Sequence, residues 1–181
     1  KGKTSFWLVA VLRRILKVKK IGHAGTLDPM ATGVMVMLIG STYTRQSDQF
    51  LSNDKEYIAK IQLGATTDSY DAEGQVTGSS EIVPSSAQVQ EVVSTFQGVI
   101  EQIPPMFSAK KVKGKKLYEL ARKGIEVERP PQKVSVEITI LAYSYPYLSI
   151  QVKCSKGTYI RSLAHDIGQK LQCGGHLVEL T

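Results

Sequence analysis

The sequence predicts an α+β fold built on a mixed, largely antiparallel sheet with helices set between its strands. Apolar residues alternate with polar ones in three short runs, Tyr57, Ala59, Ile61 and Leu63, then Val134, Val136, Ile138 and Ile140, then Leu148, Ile150, Val152 and Cys154. That period of two belongs to strands with one buried face. Helical spacing instead governs Val89, Val92, Val93 and Phe96, and later Ile160, Leu163, Ala164, Ile167 and Leu171. The strand-like runs follow in hairpin-like succession with helices between, an order that favours an antiparallel-rich sheet over a doubly wound parallel one.

Taken in order, Thr4 to Val18 reads as an amphipathic helix, with Ser5 available as cap and Leu8, Leu12 and Ile15 on a stripe opposite Arg13, Arg14 and Lys17. A glycine-bounded stretch from Gly22 to Gly33 follows and runs into Val34 to Ile39, read as a buried strand. Beyond the strand at 57–63, Ser86 to Gly98 reads as a helix. Lys116 to Lys123 reads as a short helix stopped by Gly124. After the strands at 134–140 and 148–154, Thr158 to Leu171 forms the last predicted helix.

A chain of 181 residues that is 42% hydrophobic is long enough to bury a full core, and it fits one domain or a domain with a small insertion. Cys154 and Cys173 lack paired metal-ligand spacing and suit a reducing compartment, so a soluble, cytoplasmic protein is expected. The longest apolar runs, Phe6 to Leu12 and Val34 to Ile39, fall far short of the roughly 18 residues a membrane span needs. No Walker A sequence, GxGxxG, or HxE with CxxC is present, which leaves no nucleotide-cofactor signature and excludes zinc deaminase chemistry.

The net charge of +7 is unevenly spread. Residues 1–20 hold seven Lys or Arg and no acid, residues 109–133 hold nine against three, and residues 21–108 hold three against ten. Lys110, Lys111, Lys113, Lys115 and Lys116 surround Gly114, which reads either as a hairpin of phosphate-binding lysines or as a solvated turn. Tyr57, Tyr70, Phe107, Tyr118 and Tyr159 either fill the core or offer faces to splayed bases.

The glycine-bounded stretch sets Asp28 on a loop with His23 five residues before it. Asp28 followed by Pro29 is one way to start a helix, with Asp as N-cap. Gly33 and a β-branched residue arrive within about one turn, however, leaving little helix to cap. The other reading is a reactive carboxylate held on an anchored loop.

The wording of this stretch, His23-Ala24-Gly25-Thr26-Leu27-Asp28-Pro29 followed by Ala31-Thr32-Gly33, closely resembles the central motif of the TruB family of tRNA pseudouridine synthases. Further blocks agree in order and spacing: Lys1-Gly2-Lys3-Thr4-Ser5, Asp54-Lys55-Glu56-Tyr57, and Leu63-Gly64-Ala65-Thr66-Thr67-Asp68-Ser69-Tyr70-Asp71-Ala72-Glu73-Gly74. Pro104-Pro105-Met106-Phe107-Ser108-Ala109-Lys110-Lys111, Leu117 to Gly124, and Cys154-Ser155-Lys156-Gly157-Thr158-Tyr159-Ile160-Arg161-Ser162-Leu163-Ala164 complete the resemblance, which spans essentially the whole chain.

The resemblance implies the pseudouridine-synthase sheet, with a central catalytic cleft across its middle and flanking helices. It implies Asp28 as the catalytic nucleophile toward the T-loop uridine (uridine 55) of tRNA, adding at the ribose or at the base. It implies Arg161 as the arginine that pairs with Asp28, lowering the carboxylate pKa and fixing its orientation. Tyr159 matches a tyrosine placed to move a proton at the base, Tyr57 the one that stacks on it, and His23 a histidine that fills the space left by the flipped base. By themselves, Arg161 reads as a surface residue, Tyr159 as a helix-start aromatic and Tyr57 as an ordinary strand residue. Lys110 and Lys111 are expected to bind substrate phosphates. No cofactor or metal is expected, since the reaction is a rearrangement, and tRNA is the expected partner.

Residues 1–181 are expected to form one catalytic domain cut at both ends. The opening Lys-Pro pair lies outside it, as do the basic tail and any C-terminal RNA-binding domain of the PUA type. Two other readings are carried: a guide-RNA-dependent synthase of the dyskerin type, and a tRNA-folding RNA chaperone. The blocks at 63–74 and 104–123 read as the stand-alone form rather than the guided one.

Overall fold

The computed structural model describes residues 1–52, 54–112 and 114–181. Lys113, part of the expected lysine turn, lies outside the described residues.

The first helix, α1 (Ser5–Leu16), takes Thr4 rather than Ser5 as its cap. Thr4 has extended backbone and its hydroxyl accepts the Trp7 amide at 3.2 Å, the bond an N-cap makes three residues on. Ser5 is therefore the first helical residue, and its hydroxyl is free for another partner. The helix stops before the expected Val18, at Lys17 in left-handed backbone with φ 57°.

Next come β1 (Ile21–Ala24) and β2 (Val36–Ile39), an antiparallel pair with Ile21 opposite Ile39 and His23 opposite Met37. The expected buried strand over 34–39 is corrected here. The pair stands apart from the main sheet; within β2 only Leu38 is buried, and Val34 before it is 91% exposed. Two short helices follow, α2 (Ser41–Arg45) and α3 (Ser47–Leu51).

The chain continues through β3 (Lys55–Leu63), β4 (Ala65–Thr67), β5 (Val76–Ser79), α4 (Ser86–Ser94) and β6 (Gly98–Gln102). After β7 (Lys111–Val112), β8 (Lys115–Lys116) and α5 (Leu117–Ala121) come β9 (Gln132–Ser144), β10 (Tyr147–Cys154), α6 (Ile160–Lys170) and β11 (Gly175–Leu180). Three predicted helices are trimmed. α4 ends at Ser94, because Gly98 already belongs to β6; α5 ends before Gly124, which takes φ 67°; α6 starts after Tyr159.

Five strands form the main sheet in the order β11-β3-β10-β9-β6, each pair antiparallel. Ala59 lies opposite Ile150 and Ile61 opposite Leu148, so the alternating apolar residues of neighbouring strands share one face. That face is the core. Val89 and Val93 of α4 and Leu163 and Ile167 of α6 pack onto it with Val136, Val152 and Leu177. The other face carries exposed Glu56, Ile58 and Glu137, the one-sided burial typical of antiparallel sheets.

Gly168 lets α6 lie directly on the start of β11, since a Cβ there would run into the backbone of Gly174 and Gly175. This close approach fixes the helix that carries Arg161. Among the described residues, no helix is long and apolar enough to cross a membrane.

Candidate active site

The loop between β1 and β2 is pinned from three sides. The Ser5 hydroxyl accepts the Leu27 amide at 3.1 Å and donates to the Leu27 carbonyl at 3.2 Å. The Gly2 amide donates to the Pro29 carbonyl at 2.7 Å, and Thr32 donates to Leu180 of β11 at 2.8 Å. No helix follows Asp28: its carbonyl accepts the Ala31 amide in a turn, which removes the helix-start reading. Asp28 is thus a carboxylate on an anchored loop.

Arg161, in the first turn of α6, meets Asp28 as a fork. Its Nε lies 2.9 Å from one carboxylate oxygen and its Nη2 3.2 Å from the other. Nη1 reaches the Ser69 carbonyl at 3.1 Å and a carboxylate oxygen of Asp71 at 3.4 Å, while Nη2 also donates to the Phe107 carbonyl at 2.8 Å. The five N–H donors of a guanidinium thus face five acceptors. The Arg161 side chain is 7% exposed, as is that of Asp71, whereas Asp28 is 29% exposed. Asp28 is therefore the carboxylate of this trio that faces solvent.

The expected lowering of the Asp28 pKa is corrected. Burial pushes its carboxyl up from the ordinary value; the Arg161 charge and hydrogen bond oppose this, and the neighbouring Asp71 carboxylate adds to the rise. Desolvation of the carboxylate is the largest influence and outweighs the fork. Asp71 is itself held by the Ser69 hydroxyl at 2.6 Å and the Glu73 amide at 3.0 Å.

A cleft of about 1070 Å³ opens over this cluster, at the end of the sheet where β3 begins and β10 has ended. Tyr57, Phe107, Tyr118 and Tyr159 line it together with Asp28 and Arg161. Burial, with Cys154 and Asp28 nearby, raises the Tyr57 hydroxyl to about 12, so it stays protonated at neutral pH. Tyr159 is held by its backbone: the wholly buried Gln102 side chain accepts its amide at 2.8 Å and donates to its carbonyl at 3.0 Å. The side chain of Tyr159 is left to face the cleft.

The other expected site residues sit farther out. His23, on β1, places Nδ1 2.6 Å from the Gly25 carbonyl and does not line the cleft. Lys110 donates to Gln132 at 2.8 Å, and Lys111 is exposed on the β7–β8 hairpin, opposite Lys116. Tyr70 does not line the cleft, and one face of its ring is covered by His165. Among the described residues, no group of His, Cys, Asp and Glu is placed to hold a metal ion.

Sequence reasoning gave no role to Asp71, Ser69, Gln102 or the Phe107 carbonyl. Asp71 could have been singled out, since a second buried carboxylate must find a cation. The two carbonyls leave no mark in a sequence, and a buried glutamine is indistinguishable from a surface one.

Residues 13–160 match the family described as TruB family pseudouridylate synthase (N terminal domain). The chain is 66% identical over 181 residues to the tRNA pseudouridine synthase B of Protochlamydia amoebophila (strain UWE25), covering all of this chain and 69% of that protein. It is 58% identical over 179 residues to the tRNA pseudouridine synthase B of Chlamydia abortus (strain DSM 27085 / S26/3), covering 99% of this chain and 76% of the other. Among solved structures it resembles a chain of a Cbf5-Nop10-Gar1 complex, with a TM-score of 0.73 and 31% identity. That match covers 99% of this chain and 44% of the other.

Proposed function

The chain belongs to the TruB family of pseudouridylate synthases, and from that premise we propose that it isomerises the T-loop uridine of tRNA to pseudouridine with Asp28 as nucleophile. The observation that carries this reading is the forked Arg161–Asp28 pair at the floor of an open cleft. A carboxylate gripped on both oxygens is aimed, yet its exposure toward the cleft leaves it able to attack.

In this account Asp28 adds covalently to the flipped uridine, at the ribose or at the base, while the bond between N1 and C1′ breaks. The uracil turns, C5 bonds to C1′, the bond to Asp28 is released to regenerate its carboxylate, the C5 proton leaves and N1 takes one up. Tyr159 moves that proton at the base, and Tyr57 stacks on the ring from the cleft wall. Flipping costs a few kcal/mol, which stacking on Tyr57 and phosphate contacts from Lys110 and Lys111 offset. His23, on the strand leading into the catalytic loop, is proposed to fill the gap left in the RNA. Atoms balance without a redox step or group donor, so the chain's own residues suffice for the chemistry.

Dependence on a guide RNA is the second reading, favoured by the likeness to Cbf5 in its complex. The stand-alone reading is preferred because the relatives of far higher identity are named for tRNA. Incubation with an unmodified tRNA transcript, with pseudouridine mapped by carbodiimide adducts and primer extension, decides between them. A T-loop stop without guide RNA is expected. A stop only after guide RNA is added supports the second reading, and the absence of any stop overturns both.

A further inference from the structure

Next to the Asp28–Arg161 cluster, and outside the lining of the cleft, lies a group of side chains that the proposed chemistry does not use: Tyr70, His165, Arg129 and Glu126. The Tyr70 and His165 rings are stacked, with centroids 3.9 Å apart and planes 14° from parallel. Both residues are only half-buried, so filling the core does not require the stack. Its placement says more. His165 follows Arg161 by four residues in α6, one turn along the same face. Tyr70 sits between Ser69 and Asp71, whose carbonyl and carboxylate both meet Nη1 of Arg161.

Tyr70 also holds left-handed backbone, with φ 65°, a conformation that a bulky side chain adopts only where its surroundings enforce it. That backbone sits at the residue between the two groups that meet Arg161. Backbone bonds tie the turn to β11, the Leu177 amide donating to the Tyr70 carbonyl at 3.0 Å and the Ala72 amide to the Leu177 carbonyl at 2.9 Å, and the stack adds a ring contact that ties the same turn across to α6. Burial lowers the His165 pKa, so its ring stacks as a neutral aromatic, and its Nδ1 finds no hydrogen-bond partner among the described residues.

Arg129 extends the same frame. Its charge opposes the rise that burial gives the Tyr70 pKa, and it donates to the Pro104 carbonyl at 3.3 Å and pairs with Glu126 at 3.0 Å. Pro104 begins the segment whose Phe107 carbonyl accepts from Nη2 of Arg161, and Ser162, next to Arg161, donates to the preceding Ile103 carbonyl at 2.8 Å. The three acceptors of Arg161 other than Asp28 thus lie on two segments, each bonded to this group.

We propose that Tyr70 and His165 are positioning residues for the isomerisation: their stack locks the Ser69–Asp71 turn onto α6, keeps Arg161 saturated, and so holds Asp28 in its attacking orientation. This rests on the assignment of Asp28 and Arg161 proposed above. The stack touches no substrate, so its loss slows the chemical step and leaves tRNA affinity in place.

The test compares variants that break the stack, His165→Ala and Tyr70→Leu, with variants that keep an aromatic face, His165→Phe and Tyr70→Phe. Single-turnover rates at saturating tRNA transcript are measured beside the tRNA Kd. The stack-breaking pair is expected to lose at least tenfold in rate with Kd within twofold of wild type, and the aromatic pair to recover to within threefold. Rates within twofold of wild type for His165→Ala and Tyr70→Leu overturn the proposal, as does an aromatic pair that falls as far as they do. Should His165→Ala fail to fold, Tyr70→Leu carries the same comparison. The Nε–H resonance of Arg161, followed in protein labelled with nitrogen-15 arginine and assigned by its loss in Arg161→Lys, supplies a readout without turnover. A sharp signal in wild type that broadens or shifts in Tyr70→Leu is expected, and an unchanged signal overturns the positioning role. If wild-type protein leaves tRNA unmodified, the proposed activity fails, while the Arg161 resonance still decides whether the stack holds the arginine.

Discussion

Arg161→Lys keeps the charge of the buried cation and removes its shape. The native guanidinium faces the two Asp28 oxygens, Asp71, the Ser69 carbonyl and the Phe107 carbonyl. A lysine offers three donors from a single nitrogen, so at least two of those acceptors lose their partner, and the parallel pair of bonds to Asp28 cannot form. A hydrogen bond to a charged group is worth roughly 1.5–3 kcal/mol. Losing one of the two at Asp28 therefore slows the chemical step by roughly 10- to 150-fold, at tenfold per 1.36 kcal/mol. The two acceptors left unpaired cost stability on the order of 2–6 kcal/mol, against the usual 5–15 kcal/mol of a domain, so folding is checked directly. The assay is single-turnover release of tritium from tRNA transcript labelled at uridine C5, since that hydrogen leaves when C5 bonds to C1′. Circular dichroism and a thermal melt establish that the variant is folded. A folded Arg161→Lys protein that reacts within twofold of the wild-type rate would refute the idea that fork geometry, rather than charge alone, aims Asp28.

Two further outcomes follow from other parts of the molecule. Burial lifts the Asp166 carboxyl from 3.8 to about 6, so the fold favours its neutral form; the stability this contributes is fully present below the ordinary carboxylate pKa and is lost as pH rises through about 6. Asp166→Asn should therefore gain on wild type between pH 4 and pH 8 in urea melts, by up to roughly 3 kcal/mol, and a difference that does not vary with pH contradicts this. On the β7–β8 hairpin, Lys111 and Lys115 are exposed, so the double substitution Lys111→Ala with Lys115→Ala removes two of the lysines placed to meet phosphate and leaves the Lys110–Gln132 bond intact. The slope of log affinity for tRNA against log salt should flatten by roughly 0.7–0.9 for each phosphate no longer neutralised, with the rate at saturating tRNA preserved, and an unaltered slope marks the lysines as solvated.

What could be read from the sequence was what repeats or what is spelled out locally. Alternation in 57–63, 134–140 and 148–154 locates three central strands, because their shared face is buried under α4 and α6. β6 and β11 were missed. They lie at the sheet edges, where Gly98 or the run Gly175-His176-Leu177 blurs the period. Val34 to Ile39 misleads in the opposite sense, since its apolar content suggests a buried strand whereas Val34, Val36 and Ile39 are exposed. At the site, Asp28 stands out by its glycine-bounded loop and Arg161 only by resemblance. The resemblance implies a lowered Asp28 pKa because it supplies one partner, Arg161. The structure supplies a second carboxylate and a desolvated setting, neither visible from spacing. Tyr70 shows the same limit, since its stacking partner lies 95 residues away in sequence.

The central claim is that Asp28 attacks the uridine, and single-turnover kinetics of Asp28→Asn on a full tRNA transcript tests it most directly. Asparagine keeps the size and the turn but removes the nucleophilic charge, so the Arg161 fork loses its ionic partner while the cleft keeps its shape. The account predicts tritium release below detection, with tRNA bound at a Kd within about threefold of wild type, as expected when phosphate contacts away from the nucleophile set the affinity. Release at a rate near that of wild type would contradict it.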